Sequence, residues 1–574
     1  LSMTNKAIAR HLRFAADLLE LSGENPFRAR AYSSAARAVE TSDVDVAMVV
    51  EKGETPDVPG VGRGIGDEIA GLIRTGSLDV ADRALEALPP GLPDLLHVKG
   101  LGVKKVRTIW QELGVTDLEA LEGAATSGAL AALAGFGKKT AQNVLDELEK
   151  LRRYAGWHRY REALDAAVPL LAAFRTTPGV ARADLAGAIR RQLEIVDRIE
   201  IVAAGEPEAI RQALASQGVR PMDGGADPAF FHGRHPLGLP VVVHHPPEEH
   251  YGRALWAATG DAAHVETFVD RFGMPGATAE ESVVYTAAGL DPIPPPLRDG
   301  ADWLDAAAAR RLPDLLTVED LRGTLHNHST WSDGAHTIEE MAAAARERGL
   351  EYFALCDHSR SLHIANGLTV ERLLEQIEEV AALNARYAEQ AAEGRRPFRI
   401  LTGTECDVLG DGEMDFPDDV LARLDFVVAS IHSRFNMTEA EGTDRLIRAV
   451  ENPYVDVLGH LTGRLLLRRD GYPVDHPAVI DACARTGTSL ELNANPNRLD
   501  VDWRWLPEAL RRGVMISINP DAHSTYELDN VRWGVAVAQK GGLTPDRCLN
   551  ALGLDDLLLW LAARRRAAGV APAA

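Results

Sequence analysis

The sequence predicts three architectures in series: an all-α N-terminal region, an α+β middle region, and a C-terminal barrel of parallel strands joined by helices. Three observations carry this. Gly-apolar-Gly turns recur three times before residue 150, with helical periodicity around them. From about Ala166 to Tyr285, strand-like runs mix with helices. Past Val318, short apolar strands alternate with long helical stretches over about 250 residues, the size of a (βα) barrel.

A chain of 574 residues is too long for one core and suits roughly three to five domains. Apolar residues make up 46% and charged residues 25%, the balance of folded globular protein rather than a disordered scaffold. Four cysteines without a Cys-x-x-Cys pair exclude a disulfide framework and a thiolate zinc finger. No apolar run approaches the ~20 residues that span a bilayer, and the start is not signal-like. The expectation is a cytoplasmic protein with no membrane partner. Leu1 and Ser2 ahead of Met3 read as a cloning remnant. The net charge of −23 argues, taken whole, against nucleic acid as a partner. Phosphate contacts need only local positive charge or backbone N–H groups, so the local pattern decides.

The turns are Pro59-Gly60-Val61-Gly62-Arg63, Lys99-Gly100-Leu101-Gly102-Val103-Lys104-Lys105 and Ala134-Gly135-Phe136-Gly137-Lys138-Lys139. A glycine pair turns tightly and lets a phosphate approach the N–H groups of the following helix. Lys104, Lys105, Lys138 and Lys139 stand where their charge adds to that grip. This is the helix-hairpin-helix device, which holds sugar-phosphate backbone without reading bases. A turn that merely connects helices is the plainer alternative, and three copies weigh against it.

In the middle region, Ile199 to Ala203 and Leu239 to His244 read as strands, Glu206 to Gln217 and His250 to Ala258 as helices. Asp291-Pro292-Ile293-Pro294-Pro295-Pro296 reads as a stiff linker that lets the C-terminal region sit apart or fold back. Further strands are expected at Tyr352 to Leu355, Arg399 to Leu401, Phe426 to Ser430, Ser489 to Leu492 and Met515 to Ile518.

The ends of these strands carry a dense ligand set. His326 and His328, two residues apart, share one face of a strand end. Asp333, Asp357-His358, Glu405, His432, His460 and Asp521-Ala522-His523 follow in order, mostly at or just past strand ends. In a parallel barrel that is where a site is assembled. Imidazoles and carboxylates without a thiolate suit zinc, manganese or iron. His244, His245, His250 and His264 lie elsewhere and are expected in solvated loops or on the surface.

Asn25-Pro26-Phe27-Arg28-Ala29-Arg30-Ala31-Tyr32, the first hairpin and Thr75-Gly76-Ser77-Leu78 resemble the N-terminal domain of family X DNA polymerases, whose order residues 1–285 follow. Ala186-Gly187-Ala188-Ile189-Arg190-Arg191 resembles the family's triphosphate-binding segment. Tyr251-Gly252-Arg253-Ala254-Leu255 with Thr259-Gly260 resembles its nucleotide-pocket helix. The resemblance implies nucleotide binding by Gly187, Arg190, Arg191, Thr259 and Gly260. It implies DNA binding by Gly60, Gly62, Gly100, Gly102, Gly135, Gly137 and the four lysines.

The departures concern catalysis. The family's paired palm aspartates fall on Arg198 and Glu200, and the third carboxylate on Val241 or Val242. Asp197 is adjacent, but alternation along a regular strand sends it to the opposite face. Two-metal nucleotidyl transfer needs those carboxylates, and an arginine repels a divalent ion. Glu200 with Asp197 is therefore expected as a catalytic remnant, with manganese or magnesium as its ion. Ala188 replaces the motif serine, and Ala257-Ala258 the aromatic pair that screens the sugar 2′-OH. The family's Schiff-base lysine falls on Glu68, which cannot form an imine.

Residues from about 318 to 565 resemble the polymerase-and-histidinol-phosphatase (PHP) family, in the order of bacterial family X polymerases with such a C-terminal domain. The family's nine metal ligands map onto His326, His328, Asp333, His358, Glu405, His432, His460, Asp521 and His523. This implies up to three divalent ions, manganese or zinc, and hydrolysis of phosphate esters. Arg360, Arg464 and Arg498 lie close to ligands or strand ends and are candidates for holding phosphate.

The expected domains are 1–85, an 8-kDa-like helical domain with the first hairpin; 86–160, a fingers-like helical region with two hairpins; 161–236, a nucleotidyltransferase-like palm; 237–290, the rest of the palm and a thumb-like part; 291–317, the Pro-rich linker; and 318–574, a distorted (βα) barrel of the PHP type. The function expected is DNA repair by a 3′→5′ exonuclease with a degenerate polymerase core. It acts as a monomer on gapped, nicked or 3′-end DNA, with a deoxynucleoside triphosphate as a further ligand, in the nucleoid-containing cytoplasm. The alternatives are an active gap-filling polymerase with the nuclease as editor, a non-catalytic DNA-binding scaffold, and a small-molecule phosphatase of the histidinol-phosphate type.

Overall fold

The computed structural model describes residues 5–42, 44, 46–54, 58–75, 77–222 and 229–571. Leu1 and Ser2, with Gly76 of the Thr75–Leu78 motif, lie outside the described residues. The chain divides into two compact units, Leu1–Ala155 and Gly156–Ala574.

The first unit is helical throughout its described secondary structure. Its helix Asn5–Ser22 buries Ile8, Leu12, Ala15 and Leu19, spaced three or four residues apart, as one apolar stripe. The helix Pro26–Glu40 opens with Asn25, whose side chain accepts from Phe27 N, and with Pro26 at its first position.

One backbone conformation is used three times in the hairpins. Gly60, Gly100 and Gly135 have φ of 90°, 88° and 82°, which a side chain would strain. The amide of the next residue donates three residues back: Val61 to Val58 O at 2.9 Å, Leu101 to Val98 O at 3.0 Å, Phe136 to Leu133 O at 3.0 Å. The second glycine then starts a helix, Arg63–Thr75, Val103–Leu113 or Lys138–Tyr154. Its carbonyl accepts the first helical bond, at 3.0, 3.1 and 3.0 Å respectively.

Among its described residues the second unit holds fourteen strands. They are β1 (His158–Arg159), β2 (Val180–Ala186), β3 (Ile195–Val196), β4 (Ile199–Gly205), β5 (Arg220–Pro221), β6 (Phe230–Arg234), β7 (Pro240–His244), β8 (Gly323–Asn327), β9 (Tyr352–Leu355), β10 (Arg399–Asp407), β11 (Phe426–Ser430), β12 (Val457–Leu458), β13 (Ser489–Asn493) and β14 (Ile516–Asn519). A five-stranded mixed sheet runs β2-β4-β7-β6-β5, with β4 and β7 parallel. Strands β8 to β14 are all parallel and neighbour one another in sequence order. A bridge between Asn327 and Ala522 brings the two ends together, with His328 N donating to Ala522 O at 2.8 Å. The result is a near-closed seven-stranded barrel.

Alternation sorts its side chains. Tyr352, Ala354, Cys356, Leu401, Phe426 and Val428 share one buried cluster with Leu557 and Leu561 of the helix Leu554–Ala567. Phe353, Leu355 and Ile400 belong to another. The expected strand Arg399 to Leu401 runs on to Asp407, because Thr402, Thr404 and Glu405 interrupt the apolar pattern without interrupting the strand.

Two expectations change. The stretch 291–317, expected as a stiff linker that lets the C-terminal region sit apart or fold back, takes the folded-back course. Ile293, Leu297, Leu304 and Ala307 are buried with Trp256, Phe268 and Tyr285, and Leu316 N donates to Leu543 O at 2.9 Å. Its prolines lack N–H groups, so an extended path can be buried with fewer donors to satisfy. The mixed sheet and the barrel therefore form one compact unit. Glu194, nearly buried after β1 and beside β3, accepts from Trp503 Nε1 at 3.1 Å and Arg504 Nη1 at 2.7 Å. Buried Lys540 pairs with Asp299.

The second correction is His264, which is fully buried rather than solvated. Its Nδ1 donates to Gly300 O at 3.1 Å, and its Nε2 accepts from the Tyr285 hydroxyl at 2.9 Å. Burial pushes its pKa down to about 4. The unfolded chain takes up this proton first, so the contribution of neutral His264 is full above pH 6.5 and is lost as pH falls toward 4. At about 1.4 kcal/mol per unit, the loss reaches about 3 kcal/mol. His264→Gln should flatten the fall in unfolding free energy between those pH values, measured by urea titration; parallel pH profiles would sink the assignment.

Candidate metal centre

The C-terminal ends of β8 to β14 converge, and all nine side chains expected as ligands meet there. Glu405, on β10, is the hub. Its carboxylate lies 2.9 Å from His358 Nδ1 and His460 Nε2, 3.2 Å from His432 Nε2, 3.3 Å from His326 Nε2 and 3.7 Å from His328 Nε2. Asp521 lies 3.2 Å from His328 Nε2 and 3.8 Å from both His326 Nε2 and His523 Nδ1. Asp333 lies 3.4 Å from His523 Nε2 and 3.6 Å from His358 Nε2. In three overlapping sets, one ligand atom per member lies within 4.8 Å of the others: His328, Asp333, His358 and His523; His326, His328 and Asp521; His358, Glu405 and His432.

These residues fit divalent cations. His328 Nδ1 and His460 Nδ1 are buried without a hydrogen-bond partner, an expensive arrangement for imidazole nitrogens, and His326 Nε2 and His358 Nδ1 face Glu405 without hydrogen-bond geometry. The electrostatics agree. Burial works against charge on His326, yet Glu405, Glu491 and Asp521 raise its pKa well above the ordinary value. His432 is held at about 10 by Glu405 and Asp407 against the same burial, and His523 at about 9 by Asp333 and Asp521. His328 goes the other way, to about 3, through burial and the neighbouring His523 and His358. Burial opposes the charge on Glu405, but its imidazoles hold the carboxyl well below the usual range. Carboxylates that draw protons onto His326, His432 and His523 are the pull a divalent cation would answer in their place.

A surrounding layer orients the imidazoles, and sequence reasoning missed it. His326 Nδ1 lies 2.7 Å from Glu491, which also accepts from His460 N at 2.7 Å and Asn519 Nδ2 at 2.9 Å. Asp407 binds His432 Nδ1, and Asp521 O accepts from His523 Nδ1 at 3.0 Å. Each contact leaves Nε2 facing the cluster. Asp357, beside His358, instead turns to Ser329, Ser332 and Gln376. The available signal was parity: Glu491 lies between Leu490 and Leu492, which pack outside the lumen.

The three arginines differ. Arg498 Nε lies 3.7 Å from Asp521. Arg360 is half exposed and held by Asp415. Arg464 pairs with Asp502 at 2.6 Å and donates to the Arg498 and Leu499 carbonyls.

In the mixed sheet, Asp197 and Arg198 sit in the bend between β3 and β4, so strand alternation does not govern Asp197. The two pair with each other at 2.7 Å, and this bond lowers the pKa of Asp197. Glu200 pairs in register with half-buried Val242, while Val241 turns into the core. The Glu200 carboxylate lies against Gly187, where a Cβ would come within 1.7 Å of Oε2. His244 Nε2 lies 3.7 Å from that carboxylate. Among the described residues, no group of three metal-ligand side chains meets here.

The nucleotide-pocket arginines are internally bound. Arg190 forms a bidentate pair with Glu281 at 2.7 Å and donates to Thr259 Oγ1 at 2.6 Å. Arg191 donates to Asp299 and to Thr259 O, both at 2.7 Å, and Gly260 follows at the helix end. In the first unit, Lys104, Lys138 and Lys139 are exposed. Lys105 instead donates to Gly100 O at 2.9 Å and lies over the Phe136 ring.

Comparison with known proteins places this geometry. A helix-hairpin-helix domain family matches residues 3–78, a SAM-like helix-hairpin-helix tandem family residues 92–150, and the PHP domain family residues 324–492. The chain is 35% identical to the DNA polymerase/3′-5′ exonuclease PolX of Bacillus subtilis (strain 168), over 97% of this chain and 99% of that protein. Probable phosphatases of Thermoanaerobacter sp. (strain X514) and Acetivibrio thermocellus are 28% and 30% identical, over 39% and 35% of this chain and 88% and 80% of their own lengths.

The Glu491 contact can be tested directly. Glu491→Gln should weaken Mn²⁺ binding about 10- to 100-fold by calorimetric titration. Unchanged affinity would mean that packing alone orients His326.

Proposed function

Because the chain belongs to the family of bacterial family X DNA polymerases with a C-terminal PHP domain, we propose that its working active site is the barrel, which removes nucleotides from DNA 3′ ends in repair. The observation that carries this is the set of overlapping ligand groups around Glu405. The protein is a metal-dependent phosphodiesterase. Divalent cations held there, Mn²⁺ or Zn²⁺ at up to three positions, supply Lewis acidity toward a phosphoester and make water nucleophilic at neutral pH. His326, His328, Asp333, His358, Glu405, His432, His460, Asp521 and His523 are the ligands. Glu491 and Asp407 fix which imidazole nitrogens face them. Arg498, beside Asp521, and half-exposed Arg360 meet the substrate phosphate.

The hairpins hold the sugar-phosphate backbone. Their repeated geometry presents a helix N-terminus each time, with Lys104, Lys138 and Lys139 adding charge. A small-molecule phosphatase has no use for such a grip, and the phosphatase relatives match only 39% and 35% of this chain. Nucleotide addition is feeble and prefers Mn²⁺: Glu200 lacks carboxylate partners, and Arg190 and Arg191 are engaged by Glu281 and Asp299. A second reading, an active gap-filling polymerase with the barrel as editor, is favoured by the full-length match to a DNA polymerase/3′-5′ exonuclease. The enzyme acts as a cytoplasmic, nucleoid-associated monomer; no described helix is long and apolar enough to cross a membrane.

A labelled primer–template assay with Mn²⁺, Zn²⁺ or Mg²⁺, with and without deoxynucleoside triphosphates, beside a histidinol-phosphate assay, separates these readings. Robust Mg²⁺-dependent extension favours the second. His326→Ala with His328→Ala should abolish 3′-end degradation while DNA binding persists in a gel-shift assay; normal cleavage would place the nuclease elsewhere. Replacing Lys104, Lys138 and Lys139 with alanine should weaken duplex binding regardless of sequence. Its salt slope should fall by about 0.9 per lost phosphate contact. An unchanged slope would leave the turns as connectors.

A further inference from the structure

The metal centre is recessed and opens on one side. His326, His328, His358, Glu405 and His460 have side chains at most 7% exposed, whereas Asp333 and His523 reach 36% and 32%. Substrate must therefore enter past Asp333 and His523.

Two large apolar side chains stand in solvent on the loops flanking that entrance. Tyr526, 66% exposed, lies three residues beyond His523 in the loop after β14. Ile364, 95% exposed, lies in the loop after β9, six residues beyond His358. The Ile364 loop is pinched at its base: Leu368 N donates to His358 O at 2.8 Å. Its tip is tied sideways, Asn366 Nδ2 donating to Trp331 O at 3.0 Å in the loop that carries Asp333. That loop is in turn tied to the third, Ala335 N donating to His523 O at 2.7 Å. The strand order puts β8 and its loop between β14 and β9, so Tyr526 and Ile364 stand on either side of Asp333. Ile364 and Tyr526 are among the most exposed large apolar side chains of the described residues, and both stand on loops that border the open side of the centre.

Building on the nuclease reading above, we propose that Tyr526 and Ile364 form an apolar grip for the unpaired 3′-terminal bases of single-stranded DNA as the strand enters the barrel. An aromatic ring stacks on any base without reading its sequence, and a branched aliphatic chain covers a second base face. The recess demands such a strand. A phosphodiester can reach buried Glu405 and His460 only if its nucleotide leaves the duplex, and the bases then need new apolar partners. The pair is therefore a specificity determinant for frayed or single-stranded 3′ ends, separate from the ligands.

The test compares wild type, Tyr526→Ala, Ile364→Ser, the double variant and Tyr526→Phe. Both residues are exposed, so the fold does not rest on them. Two substrates are used with Mn²⁺: a single-stranded oligonucleotide and bis(p-nitrophenyl) phosphate, which has no bases. The expected result is a KM for the oligonucleotide about 10-fold higher in Tyr526→Ala and higher still in the double variant. The effect should change little with salt, unlike a lost phosphate contact. Tyr526→Phe should behave as wild type, and kcat/KM for bis(p-nitrophenyl) phosphate should stay within about two-fold throughout. An unchanged oligonucleotide KM in the double variant overturns the grip while leaving the nuclease intact. Equal losses on both substrates overturn it too, since the residues would then act on the metal centre. A wild type that cleaves neither substrate removes the nuclease reading and this inference with it.

Discussion

A single buried carboxylate, Glu405, organises the C-terminal half of this protein. It is almost fully buried and has five imidazoles within 3.7 Å. An ionised carboxylate cannot be taken out of water without compensation, and imidazoles crowded at such distances repel one another once protonated. The arrangement is satisfied by cations that the imidazole and carboxylate lone pairs can share. Everything around it serves to bring ligands from six of the seven strands to one place. The parallel barrel does this because the C-terminal ends of all its strands share one face. Glu491 and Asp407 then remove the rotational and tautomeric freedom of His326 and His432.

The mixed sheet contributes to the same body rather than swinging apart from it. Its ties to the barrel are charged and buried: Asp299 receives Lys540 from the barrel and Arg191 from the sheet, and Glu194 receives Trp503 and Arg504. Buried charges of this kind are costly to separate once packed, because either partner alone would be left desolvated and unpaired. The arginines that a triphosphate would use are thereby enlisted in structure.

The N-terminal unit reaches DNA by a different economy. It does not need a basic surface, and the chain is strongly acidic as a whole. A turn that aims a helix N-terminus outward supplies N–H groups and a partial positive charge at a defined spot. Three such turns with few lysines would localise positive potential on an otherwise acidic chain.

What the sequence determined by itself was whatever depends on a few consecutive residues. The three glycine turns, the helices after them, the strands Tyr352–Leu355 and Phe426–Ser430 and the pairing of His326 with His328 on one strand end were all legible. A left-handed glycine, a period of two and a β-branched run act within a handful of residues. Strand order then sufficed to suggest that distant histidines and carboxylates would meet. The tertiary structure alone decided the rest. It gave Arg190, Arg191 and Arg464 their acidic partners, packed the proline stretch, buried His264, and placed Glu491 behind His326. These outcomes depend on partners far away in the chain: 108 residues for Arg191 and Asp299, 165 for His326 and Glu491, 241 for Lys540 and Asp299. Local backbone preference says nothing about which of many possible opposite charges will share a buried space; only the completed packing, with its demand that each buried charge find a partner, selects one.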